Sequence, residues 1–268
     1  MPWVEINGQD IYYGEAGSGQ PLVFLHGNSS CGEAWYQQVA HFSDRFHVYT
    51  YDSVNHGHSS NSPRDADEPD RADELDGFLR AFGIERPVLI GNSMGGNTLL
   101  RWAMRNPDGA AALVASSIGV RTGDAAMPPP PNPMPEATLY VPVGNSFTEG
   151  FKDAQPRMLE RYYRIRSTAT RLEALRRPRH PSPTTVAERT AMEERAGSIR
   201  SPLLILTGEF DFALEPARHL RELVPSAEYH EEPGAPHNAY FEVPDRWNAT
   251  VDAFLARVLA KTGAALPA

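Results

Sequence analysis

One cysteine, Cys31, stands in a chain of 268 residues. A lone cysteine excludes an internal disulfide and a cysteine-based metal site. Long hydrophobic runs are missing as well. Nothing approaches the roughly 18 consecutive apolar residues of a membrane span. Met1-Pro2-Trp3-Val4-Glu5 has no basic segment followed by an apolar one, so no secretory signal is read there and a cytoplasmic location is expected. Positive charge is in deficit: 25 Lys and Arg face 34 Asp and Glu, a net of −9, which argues against nucleic acid as a general partner. No internal repeat is present, and the proline run over residues 127–135 is the only low-complexity stretch. What remains is 41% hydrophobic and 22% charged, ordinary for a globular domain. The length suits one α/β domain carrying an insertion.

The charge is uneven. Residues 151–200 hold 12 Lys and Arg against 6 Asp and Glu, a net of +6 that leaves the rest of the chain at −15. Such a segment reads first as a solvated basic face and second as a cover that draws anionic substrates; charge runs are usually solvated faces.

Along the chain, short apolar runs alternate with helical spacing. Trp3–Ile6 and Ile11–Tyr13 flank Asn7-Gly8, a strong hairpin signal. Buried strands are expected at 21–25, 46–51, 88–90, 111–115 and 203–206, with a last strand at 227–230. Helices are expected at 33–42, 72–82, 97–106, 216–223 and 244–261. This rhythm predicts an α/β fold, a doubly wound, mostly parallel sheet of about eight strands. After the sixth strand the rhythm stops. Residues 119–198 contain the stiff Met127–Pro135 stretch, a largely helical pattern over 147–176, a proline-broken segment at 177–183 and a further helix at 185–196. The core is therefore expected at 1–118 and 199–268, with 119–198 a mainly helical lid over the carboxyl edge of the sheet, where open α/β sheets bind ligands.

The stretch Val88-Leu89-Ile90-Gly91-Asn92-Ser93-Met94-Gly95-Gly96 reads strand, sharp turn, helix. A serine on such a turn is held strained and exposed at the head of a helix, where the dipole and free N–H groups favour developing negative charge. Alone, Gly-x-Ser-x-Gly is also an ordinary glycine-rich turn. A serine hydroxyl is a weak nucleophile that needs a base, and the base needs an acid to fix its tautomer. Asp211, just beyond the strand 203–206, and His237, in the loop after the last strand, follow in that order. Glu209 rivals Asp211, and His219 and His230 rival His237.

With His26-Gly27, the Asp52–Ser59 stretch, the Gly91–Gly96 elbow, Gly208-x-x-Asp211 and Gly234-x-x-His237 in one order, the chain resembles the α/β-hydrolase superfamily from residue 3 to 262. The resemblance implies a Ser93–Asp211–His237 triad and an oxyanion hole made by the backbone N–H groups of Asn28 and Met94. His26, His56 and His58 are then structural. No cofactor and no metal are implied: Gly91-x-x-x-Gly95-Gly96 is neither a dinucleotide fingerprint nor a phosphate loop, and His56-x-His58 lacks a third ligand. The partner expected is a small-molecule carbonyl substrate, an ester or lactone, and a homo-oligomer is neither required nor excluded. The elbow is also similar to those of carbon–carbon hydrolases acting on meta-ring-fission products. Asn28-Ser29-Ser30-Cys31-Gly32 and Asn238-Ala239-Tyr240 depart from their pattern. A hydrolase-like ligand receptor is the non-enzymatic alternative.

Overall fold

Short apolar runs bounded by turn residues become the strands. A computed structural model of the chain describes residues 2–62, 69–120, 146–169 and 186–260. Within them lie β1 (Trp3–Ile6), β2 (Gln9–Ala16), β3 (Gln20–Leu25), β4 (Phe46–Tyr51), β5 (Val88–Asn92), β6 (Ala112–Ser116), β7 (Leu203–Gly208) and β8 (Glu228–Glu232). They form one sheet in the order β1-β2-β4-β3-β5-β6-β7-β8. β1 and β2 are antiparallel, as are β2 and β4; every other pair is parallel. The helices are α1 (Tyr36–Phe42), α2 (Arg71–Ala81), α3 (Met94–Arg105), α4 (Glu149–Ala154), α5 (Pro156–Ala169), α6 (Val186–Arg195), α7 (Leu214–Leu223), α8 (Ala239–Glu242) and α9 (Pro244–Ala260). This is the alpha/beta hydrolase fold, with its eight-stranded, mostly parallel sheet.

Parallel strands covered on both faces read as continuous apolar runs. β5, β6 and β7 are buried along their whole length. Alternate side chains then feed two cores. Leu22, Phe24, Val88, Ile90 and Val114 join one face, which holds Trp35 and Trp247 of the α1 and α9 layer. Val23, Leu89, Leu113 and Ile205 join the other, beneath α2, α3 and α7. β8, at the sheet edge, is Glu228-Tyr229-His230-Glu231-Glu232 and mostly half-buried; charge on an edge discourages pairing with another chain.

The direction in which successive strands are added reverses about β3: β4 lies on one side of it and β5 on the other. A crevice opens there, at the carboxyl ends of β3 and β5. Between β6 and β7 the described residues supply α4, α5 and α6. Phe147, Phe151, Tyr162 and Ile165 of this segment join the α1 and α9 core, and the Gly57 N–H donates to the Ala169 carbonyl at 3.0 Å. The proline run at 127–135 and the expected break at 177–183 lie outside the described residues.

Among the boundaries that differ from the sequence reading, two lie beside the cleft. α3 begins at Met94 rather than at residue 97. Gly95 and Gly96 are weak helix formers, but close packing of Gly95 against Leu25 of β3 and of Gly96 against Ile118 holds them in the first turn. Residues 33–42 divide into a 3₁₀ turn, Gly32–Trp35, followed by α1.

Candidate active site

Ser93 sits between β5 and α3 at φ 54° and ψ −113°, a region that costs a non-glycine residue of order 1–3 kcal/mol. Its neighbours impose this. A Cβ on Gly95 would collide with the Leu25 carbonyl, and one on Gly91 with the Gly95 carbonyl. The Ser93 N–H donates to the Ser116 carbonyl at 2.9 Å, and the Ser93 carbonyl accepts the Asn97 N–H at 2.9 Å. The backbone is pinned on both sides while the hydroxyl has no hydrogen-bond partner among the described residues.

His237 and Asp211 come from the carboxyl ends of β8 and β7. His237 Nδ1 and Asp211 Oδ1 are 2.8 Å apart, with both side chains almost fully buried. Asp211 Oδ1 also accepts the Ala213 N–H at 2.8 Å, and Oδ2 accepts the Thr207 hydroxyl at 3.2 Å. Burial alone pushes the Asp211 carboxyl up; the hydrogen bond and charge of His237 and the Ala213 N–H outweigh it, so the group lies below its ordinary value. An ionised carboxylate only accepts, which puts the proton of the neutral ring on Nδ1 and leaves Nε2 as a free base. Phe212 stacks on the ring at 4.0 Å. The Ser117 hydroxyl donates to the His237 carbonyl at 2.7 Å, tying the histidine loop to the end of β6.

The loop after β3 is set by His26. Its Nε2 accepts the Ser53 N–H at 3.0 Å, so Nδ1 carries the proton and donates to the Gly27 carbonyl at 2.8 Å. The Ser30 N–H donates to the same carbonyl at 3.2 Å. In a trans peptide the C=O and N–H point opposite ways. Holding the Gly27 carbonyl on one side therefore turns the Asn28 N–H to the other, where it has no partner among the described residues. The Met94 N–H, at the first position of α3, is likewise unpartnered there, as the first N–H groups of a helix are. Burial, the dominant influence on His26, holds its pKa below the ordinary histidine value.

Gly27, Asn28, Ser93 and His237 line one cleft of about 350 Å³, together with Tyr162 and Arg166 of α5. Asp211 lies behind His237, and Met94 opens α3 directly after Ser93. The rivals stand elsewhere. Glu209 accepts the Gly234 N–H at 2.7 Å, His219 contacts Glu193 and Glu222, and His230 contacts Glu232. His56 Nδ1 contacts the Val54 carbonyl and His58 Nδ1 contacts Asp52. Asp52 itself accepts the Gly32 and His58 N–H groups, a carboxylate that braces two loops.

Several cleft residues escaped the sequence reading: Ser117, Phe212, Tyr162, Arg166 and Asn238. Ser117 carried a faint signal, a polar pair closing the apolar run of β6. Phe212 carried none: that it stands more than half exposed beside a buried acid is visible only in the structure.

Fold and cleft define an α/β protein whose reactive groups gather at the carboxyl ends of its strands. The sequence profile of the alpha/beta hydrolase fold family matches residues 20–244, and the chain belongs to that family. It is similar to (E)-2-((N-methylformamido)methylene)succinate hydrolase of Acinetobacter baylyi, 33% identical over 102 residues, which are 38% of this chain and 39% of that protein. The aligned region thus spans about two fifths of that curated relative's length. Among solved structures, the enol-lactonase of Burkholderia xenovorans LB400 superposes with a TM-score of 0.81 at 23% identity, covering 95% of this chain and 100% of that one. Est816, described as an N-acyl homoserine lactone degrading enzyme, gives a TM-score of 0.77 at 25% identity over 94% of this chain and 100% of its own.

Proposed function

We propose that this hydrolase cleaves a small carboxylic ester or lactone through an acyl-enzyme on Ser93. One observation carries the reading. A strained serine, a histidine held by a buried acid and the Asn28 peptide meet in a single cleft, and the unpartnered Met94 N–H directly follows that serine. His237 Nε2 takes the proton of the Ser93 hydroxyl as its oxygen attacks the substrate carbonyl. The resulting oxyanion lies between the Asn28 and Met94 N–H groups, and removing one such donor typically costs about 10²–10³ in turnover. His237 then protonates the leaving alkoxide. The acyl-enzyme forms as the carbon–oxygen bond breaks, and the same nitrogen activates water for the second half. Asp211 keeps the imidazole in the productive tautomer and stabilises its charged form. The residues between β6 and β7 act in this reading as the lid that sets substrate choice.

A fluorophosphonate probe with 4-nitrophenyl acetate and butyrate as substrates tests this. Wild type should be labelled and turn over many times; Ser93→Ala should do neither. Absence of both labelling and hydrolysis in wild type would refute the proposal. Labelling with a single slow turnover would favour a ligand receptor built on the same fold.

A further inference from the structure

Among the described residues, arginine is the one ionisable cation, besides the histidine, that lines the cleft. Arg166 reaches it from α5. Among the described residues no Asp or Glu lines the cleft, and Arg166 has no hydrogen bond or ion pair. Its neighbours on the helix differ. Arg164 pairs with Glu160 at 2.6 Å, and Arg161 lies 3.6 Å over the Tyr36 ring. Those two face outward or pack along the flank. Arg166 shares the inner face with Tyr162, four residues earlier, where one turn of helix stacks side chains. The Tyr162 hydroxyl accepts the Asn238 amide at 3.0 Å and is hydrogen-bonded to the Tyr240 hydroxyl.

A half-buried guanidinium carries five N–H donors in a planar fork. Facing a cleft whose described lining holds no carboxylate, it is partly desolvated and uncompensated, a cost that an incoming anion removes. A carboxylate fits the fork with two parallel hydrogen bonds. We propose that Arg166 binds a carboxylate of the substrate, so that the natural substrate is an ester or lactone bearing a second, anionic group. Tyr162 and Asn238 are the polar groups beside that anion. The inference rests on the serine-hydrolase reading of the same cleft. It also separates Arg166 from the solvated basic face of residues 151–200: this arginine selects substrate, while its neighbours meet water or other side chains.

Two matched pairs of esters test it. The first is 4-nitrophenyl hydrogen glutarate with its methyl ester, which places the charge on the acyl side. The second is 4-acetoxybenzoate with its methyl ester, which places it on the leaving group. The readout is the kcat/KM ratio of acid to methyl ester, measured in wild type, Arg166→Met and Arg166→Lys, with fluorophosphonate labelling of Ser93 reporting that the site is assembled. In at least one pair the wild-type ratio should exceed that of Arg166→Met by about 10- to 100-fold, the scale of hydrogen bonds to a charged group. Arg166→Lys should fall between, since an ammonium keeps the charge and loses the fork. Equal ratios in labelled wild type and labelled Arg166→Met overturn the inference and leave the serine chemistry standing. No labelling and no turnover in wild type overturn both. Ionic strength gives a second measure that needs no variant. The chain carries −9, so its general field disfavours anions and added salt would raise the acid-to-methyl ratio; binding at Arg166 makes added salt lower it. A ratio that rises with salt overturns the inference.

Discussion

Asp211 shows how one side chain serves two local needs. Its Oδ1 accepts both the Ala213 N–H and the His237 ring N–H, so it closes a turn and orients the imidazole with the same oxygen. Asp211→Asn keeps the shape and removes the charge that stabilises an imidazolium. Turnover of 4-nitrophenyl butyrate should fall about 10²–10⁴-fold; a variant within a factor of three of wild type would remove Asp211 from the mechanism. His26 makes a prediction of the opposite kind, about stability. Burial holds its folded pKa below the roughly 6.5 of an unfolded histidine. The unfolded chain therefore takes up this proton first as pH falls. The stabilising contribution is complete above about pH 6.5 and declines below it, by at most about 1.4 kcal/mol per pH unit for one proton. His26→Gln cannot titrate. Urea unfolding between pH 6.5 and 5 should show a shallower loss of stability in the variant than in wild type, and equal slopes would place the titration elsewhere.

At the scale of elements, the strand–turn–helix unit of β5 and α3 depends on close backbone approach. Gly95 lies against the Leu25 carbonyl of β3, and a backbone atom cannot rotate away from an added methyl. Gly95→Ala should cost about 3 kcal/mol, read as a lower urea midpoint. A variant as stable as wild type would show that β3 and α3 can separate without cost. This unit was legible in the sequence because its constraints are local: an apolar run, three glycines and helical spacing. α5 was legible as a helix and illegible as part of a cleft. Its spacing brings Tyr162 and Arg166 onto one face, but only docking against α1 and α8 decides that this face meets Ser93 rather than water. The segment's charge pointed the same way for all its arginines, whereas the structure divides Arg166 from Arg164 and Arg161.

For the molecule as a whole, the sheet separates two cores, and the core on the α1 and α9 side carries most of the large aromatics. Trp35 is fully buried, with ring centroids 4.8 Å from Phe24 and 4.3 Å from Tyr240. It therefore joins β3, which leads into Gly27 and Asn28, to α8, which follows His237. Trp35→Ala should cost about 3–5 kcal/mol and lower the urea midpoint with the slope of the transition kept. A change under 1 kcal/mol would mean that the cavity closes by rearrangement. No helix among the described residues is long and apolar enough to cross a membrane, consistent with the length and polarity of the apolar runs.

The sequence by itself pointed to the family, to the succession of strands and helices in the core, and to a short set of candidate residues: Ser93, Asp211 and His237, with the loop at Asn28. Those features are carried by nearest-neighbour constraints of turn, period and spacing. It left three acids and histidines as rivals, Glu209, His219 and His230, because side-chain chemistry along a chain does not say which groups meet. Tertiary structure decided that. It set Asp211 and His237 2.8 Å apart, turned the Gly27 peptide through His26, and brought Arg166 of α5 into the cleft with Ser93. These are contacts between elements far apart in the chain. They follow from which faces of the sheet and helices bury against each other.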